Sequence, residues 1–166
     1  MHDTFTDDPL DIREAVAEVP SVVAAIAARV AGVPVVMVAT SFTVGVSYDP
    51  PLVTIAVQHT STTWPDLAGA STLGISVLAE DHAQHTRQLA SRDRTQRLVG
   101  IGSVDTHGGA VLLEGAHSWL ECTVEAVHRA GDHDIVVLRV LRFARDPSRS
   151  ALVWHRPARR RQVAAG

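Results

Sequence analysis

Residues 34–48, PVVMVATSFTVGVSY, carry no charge and mix β-branched residues with small and hydroxyl side chains. Such a run favours strand over helix, because Val and Thr lose side-chain freedom in a helix yet pack well on a pleated sheet. A second run of this kind, LVTIAVQ at residues 52–58, follows a Tyr48-Asp49-Pro50-Pro51 break. The hydroxyl cluster Thr60-Ser61-Thr62-Thr63 comes directly after it. Neutral donors beside apolar strands suit a bound planar ligand with a phosphate tail better than acid–base chemistry.

The bulk properties narrow the classes further. A chain of 166 residues is expected to form one domain that buries about two-thirds of its unfolded surface. Its 46% hydrophobic and 20% charged content is that of a globular protein. The net charge of −3 supplies no basic field for nucleic acid or anionic membrane, so neither is an expected partner. Every basic residue is Arg, which reads as composition bias. The single cysteine, Cys122, lies in the alternating run WLECTVEAV beside Glu121 and Glu125, the setting of an inert structural thiol. No apolar run reaches the roughly 18 residues of a membrane span. The acidic start MHDTFTDDPLD is the opposite of a signal peptide, so a cytoplasmic location is expected.

Along the chain, residues 1–12 read as a flexible tail, followed by a short helix over 12–19 that Pro20 stops. The run SVVAAIAARVAG at 21–32 is ambiguous. Its alanines lean to helix, while Pro20 and Ala31-Gly32 would also frame a strand entering a hairpin. Strands are expected over 35–39, 42–46, 52–57 and 73–78. A short helix should start at Thr63-Trp64-Pro65-Asp66 in a capping-box-like pattern and end near Gly69. Residues 79–92 suggest a polar amphipathic helix with Ala83, Leu89 and Ala90 as its apolar positions, and 93–109 an irregular loop. Long strands over 119–127 and 135–143, joined at Arg129-Ala130-Gly131-Asp132-His133, precede a final strand at 151–154. Short strands and few helices indicate a β-barrel or sandwich with helical additions.

The chemistry is constrained by what is missing. His82 and His85 sit three apart beside Asp81, but His107, His117 and His128 form no compact ligand motif, so no metal is expected. The sequence holds no Gly-x-Ser-x-Gly elbow, no dinucleotide fingerprint and no P-loop. The hydroxyls remain. Thr40, Ser41, Thr43 and Ser47 line one strand, and Thr60 to Thr63 precede a helix whose free N–H groups would suit a phosphate. Ordinary strand residues and a simple helix cap explain the same pattern.

Several segments in register resemble the flavin reductase domain family. Met37-Val38-Ala39-Thr40-Ser41-Phe42 and Val46-Ser47-Tyr48-Asp49-Pro50-Pro51-Leu52-Val53 resemble the family's G-M-T-x-S-S-F and S-V-S-x-x-P-P-L-V. Ser61-Thr62-Thr63-Trp64 is similar to S-S-x-T-W, and Leu73-Gly74-Ile75-Ser76-Val77-Leu78 to F-x-V-N-V-L. Trp119-Leu120-Glu121-Cys122, Gly131-Asp132-His133-Asp134-Ile135 and Leu152-Val153-Trp154-His155-Arg156 continue the match over about residues 20–157.

The resemblance implies a mainly β protein, an FMN-binding split β-barrel with a few peripheral helices, over residues 13–157, with an Arg-rich tail at 158–166. It implies that residues 21–30 form a strand, and that the protein is a homodimer holding flavin near the subunit interface. The implied activity is reduction of FMN or FAD by NADH or NADPH, with reduced flavin passing to a partner monooxygenase. By position, Val38, Ala39, Thr40 and Ser41 would follow the isoalloxazine edge and Ser47 the ribityl chain. Ala56, Val57, Gln58, Ser61, Thr62 and Thr63 would hold the phosphate end. His133 would be the catalytic-site histidine beside the nicotinamide or the open flavin face, with His155 and Arg156 helping to hold the nucleotide.

Three departures from the family pattern stand out: Val36 for Gly, Val38 for Thr and Ser76 for Asn. Residues 93–109 are the candidate for a mobile flap over the site, with an inert surface loop as the equal alternative. Two other uses of the same fold compete with the reductase reading. One is a flavoenzyme with different, biosynthetic redox chemistry; the other is a non-enzymatic binder of flavin or haem, with His59 or His155 as axial ligand.

Overall fold

The computed structural model describes residues 7–154; His155, Arg156 and the tail at 158–166 lie outside them. Helix α1 (Pro9–Ala17) opens the described chain. It begins inside the segment expected as a tail, because Asp8 accepts hydrogen bonds from the N–H groups of Leu10 (2.8 Å) and Asp11 (3.1 Å). Pro9 meanwhile occupies a first-turn position that needs no donor.

The following strands are β1 (Ser21–Val22), β2 (Ala24–Val30), β3 (Val33–Ala39), β4 (Thr43–Tyr48) and β5 (Pro51–Gln58). After α2 (Trp64–Ala68) come β6 (Leu73–Val77), a 3-10 turn (Glu80–His85), α3 (Thr86–Leu89) and a second 3-10 turn (Arg94–Gln96). The chain then forms β7 (Ser103–Asp105), β8 (Val111–Leu113), β9 (Ser118–Ala130), β10 (His133–Arg145) and β11 (Val153–Trp154).

Seven strands form one antiparallel sheet in the order β3-β2-β6-β9-β10-β5-β4. Ile26, Ala39, Ile75, Cys122, Val136 and Ile55, one from each successive strand from β3 to β5, meet in a single buried cluster. A sheet whose strands all turn one face to a common centre must curl around it. The protein is thus mainly β with peripheral helices, as the resemblance implied.

The ambiguous alanine-rich run is strand β2, and its packing explains the ambiguity. Ala24, Ile26 and Ala28 face the inner core, while Val23, Ala25 and Ala27 join a second cluster with Leu78, Leu89, Val111 and Leu113. A strand covered on both faces shows no alternation, so its sequence reads equally as a buried helix. Gly74 in β6 marks another close approach: a Cβ there would lie 2.1 Å from the carbonyl oxygen of Val111.

Two expected elements differ. Residues 79–92 form a 3-10 turn followed by the single-turn α3 rather than one helix. Ala83 and Ala90 are exposed and only Leu89 reaches the core. The segment is instead pinned by buried His82, which bonds the Ala79 N–H at 3.3 Å and meets the Glu114 carbonyl at 3.0 Å. The loop at 93–109 contains β7, which pairs with β8; both are three-residue strands too short to leave an alternating pattern.

Burial first, and the Glu121 charge second, push the Cys122 thiol up from 9.0 to about 12. The native protein should therefore resist a disulfide thiol reagent at about pH 8 and react fully once denatured. Because the folded state favours the neutral thiol, this contribution to stability is intact below pH 9.0 and lost as pH rises towards about 12. Gly74→Ala should lower stability by about 1–3 kcal/mol, read from the urea midpoint, since the backbone oxygen it meets cannot move aside.

Candidate functional site

After Ala39 the chain leaves one edge of the sheet, β3, and crosses to the other, where β4 pairs with β5. Ser41 sits at this crossing. Its hydroxyl donates to the Ala56 carbonyl (3.0 Å) and accepts from the Ala56 N–H (2.9 Å). The two edges are stitched together there, and a cavity of about 590 Å³ opens beside the seam.

Residues 38–41 border this cavity at the end of β3, residues 56–58 at the end of β5, and residues 61–63 in the turn that follows. His133, the first residue of β10, closes one side. The structure thus brings to one cavity all the flavin- and nucleotide-site residues that the resemblance implied except three. Ser47 lies on edge strand β4, opposite Leu52, and does not border the cavity. His155 and Arg156 are outside the described residues.

The walls also include Arg92 and Arg97, from the segment expected to be a flap. Arg97 is buried and firmly held. Its Nε donates to the Ser91 carbonyl (2.7 Å), and its Nη1 to the Val36 carbonyl (2.7 Å) and the Thr63 hydroxyl (3.0 Å). Among the described residues its Nη2 has no partner, yet that nitrogen is not sealed from solvent. Burial first, and repulsion by Arg94 second, lower its pKa. A guanidinium still stays charged in such a site. With no carboxylate partner among the described residues, this cation is poised for an anion at the cavity wall.

This changes the expected role of Thr63. It occupies the N-cap position of α2 but makes no capping bond, since its hydroxyl serves Arg97. Asp66 does not complete a capping box either; it pairs with Arg94. The N-terminal contact comes from Ser61, whose hydroxyl accepts from the Trp64 N–H at 3.2 Å. Sequence pattern gave no way to single out Arg97 from the other arginines, because its partners are distant in sequence.

His133 Nδ1 lies 2.7 Å from the Asp132 carboxylate, and this bond holds the Asp132 carboxyl below its usual range. A carboxylate only accepts, so Nδ1 carries the hydrogen and Nε2 is left for a ligand. His59 Nε2 is engaged by Asp134 at 2.9 Å. No group of three or more metal-binding side chains lies among the described residues.

The departures from the family pattern separate. Val36 borders a neighbouring slot rather than this cavity, and its side chain packs in the second core cluster. Ser76 is buried elsewhere, accepting from the Leu113 N–H at 2.9 Å. Only Val38 borders the cavity itself.

Residues 16–163 match the model of the flavin reductase like domain, and the chain belongs to that family. It is 37% identical over 127 residues to the actinorhodin polyketide dimerase of Streptomyces coelicolor, covering 76% of this chain and 71% of that one. The NADH:FAD oxidoreductase of Streptomyces globisporus, solved with NAD and FAD fragments, superposes with a TM-score of 0.81 at 28% identity. That match covers 95% of this chain and 96% of the other. The flavin reductase component of a bacterial two-component tryptophan halogenase, BorF, is 31% identical with a TM-score of 0.78, over 89% of this chain and 94% of its own.

An Arg97→Met variant should bind FMN about tenfold more weakly or worse, the scale of a lost charge-assisted hydrogen bond. Riboflavin, which lacks the phosphate, should bind it nearly as it binds the wild type. Titration calorimetry with both flavins checks this.

Proposed function

We propose that the protein is an NAD(P)H:flavin oxidoreductase that reduces FMN or FAD and releases reduced flavin to a partner monooxygenase. The observation that carries this reading is the cavity: neutral donors at the seam of the sheet, a buried cation with no carboxylate partner among the described residues, and His133 at its border. A cavity of about 590 Å³ accommodates a tricyclic ring with its side chain. The donor set fits a group that is apolar at one end and anionic at the other.

In this reading residues 38–41 lie along the ring edge, their backbone donating to its heteroatoms, while the Ser41 hydroxyl keeps the two sheet edges in register. Thr62, Thr63 and Arg97 hold the phosphate. Flavin held there would supply a ring able to take a hydride from the nicotinamide, a transfer that depends on stacking the two rings. The chain therefore needs no strong acid or base. His133 acts as a positioning residue, with its Nδ1–H fixed on Asp132 and its Nε2 directed to the nicotinamide carboxamide. The backbone N–H groups of residues 38–41 would stabilise negative charge on a reduced ring.

A second copy of the chain is expected against the exposed apolar surface. Val44 (65% exposed), Tyr48 (87%) and Phe143 (62%) support this homodimer. Among the described residues no helix is long and apolar enough to cross a membrane. NAD(P)H as reductant favours a cytoplasmic setting, with residues 13–157 as one catalytic domain. A second reading, a biosynthetic flavoenzyme that keeps its flavin, draws on the likeness to the actinorhodin polyketide dimerase.

The purified protein should oxidise NADH or NADPH at 340 nm only when free flavin is added. Nucleotide consumption without flavin turnover, or none at all, would sink the reductase reading. His133→Ala should raise the nucleotide KM or lower kcat about tenfold, while the flavin Kd stays nearly constant. Collapse of flavin affinity with intact nucleotide kinetics would reassign this histidine to the flavin.

A further inference from the structure

The cavity does not end at Arg97. Beyond that guanidinium lies an apolar slot of about 430 Å³, bordered by residues 33–36 of β3 and by Arg94, Thr95, Leu98 and Val99. Arg97 borders both spaces. Cavity and slot follow one another along a single strand, since residues 37–39 of β3 face the first and residues 33–36 the second. At about 3.3 Å per residue, the pair runs along β3 for about 20 Å.

Read along the strand, the order is neutral donors, then a buried cation, then an apolar trough. Val33 (61% exposed) and Val99 (59%) open that trough to solvent. A mononucleotide reaches Arg97 with its one phosphate and leaves the trough unused. A dinucleotide places its diphosphate at Arg97 and a second flat, largely apolar ring beyond it. The local charges are compatible with this, since Asp66 is neutralised by Arg94 and the Asp93 carboxylate is turned to the Thr95 N–H and hydroxyl.

Resting on the reading of the cavity as a flavin site, we infer that the slot binds the adenosine end of FAD, which makes FAD the preferred flavin. NADH also carries an adenosine, so the test separates the two. Val33→Ser/Val99→Ser alters two exposed side chains without adding charge or touching the cavity, and thermal unfolding checks that the fold is retained. Calorimetric titration of FAD and FMN, without nicotinamide nucleotide, reads the effect.

The wild type should bind FAD about tenfold tighter than FMN or better, and the double variant should lose most of that margin with its FMN Kd unchanged. Equal wild-type affinity for the two flavins would overturn the inference and leave the flavin reading standing. An unchanged FAD Kd with a raised nucleotide KM would assign the slot to NAD(P)H instead. Failure of both flavins to bind would remove the cavity assignment and the slot with it.

Discussion

The Arg97 guanidinium ties together three segments that are far apart in sequence. It reaches the carbonyl of Val36 in β3, the hydroxyl of Thr63 before α2, and the carbonyl of Ser91 after α3. Those segments border the cavity on one side, so its shape depends on this bonded cation. Burying a charge costs several kcal/mol unless hydrogen bonds and an opposite charge offset it. The hydrogen bonds are present, and in the proposed function the phosphate of a bound flavin would supply the opposite charge.

The remaining wall comes from the way the sheet closes. Because β3 and β4 lie at opposite edges, the crossing at Thr40-Ser41-Phe42 must span the opening between them. Phe42 is buried and Ser41 bonds both backbone groups of Ala56, so the span is rigid although it is not strand. A rigid seam suits a ligand that must be held in one plane for hydride transfer. The same serine that looks like a ligand donor in the sequence spends its hydroxyl on the scaffold.

Much of this was legible in the sequence, and the failures have physical causes. The charge-free run at 34–48 and its sequel at 52–58 became β3 to β5, because β-branched residues without charges favour strands, although β4 stands exposed at the sheet edge. Residues 21–30 were not legible from pattern, since β2 is covered on both faces; the family resemblance decided them. The helix at 79–92 failed because its apolar positions were too few to hold one, and His82 supplied the anchor instead. Arg97 was invisible because its role rests on partners 6, 34 and 61 residues away. Ser47, by contrast, was legible as a strand residue but stands on the edge strand, away from the cavity.

In the proposed function this chain brings nicotinamide and flavin together for direct hydride transfer. Anaerobic stopped-flow absorbance near 450 nm, mixing protein and FMN or FAD with NADH or NADPH, tests it most directly. The expected result is rapid, protein-dependent bleaching with a marked preference for one nucleotide. Flavin that binds, by calorimetry, yet is not bleached by either nucleotide would contradict the claim and point to an enzyme reduced by another donor.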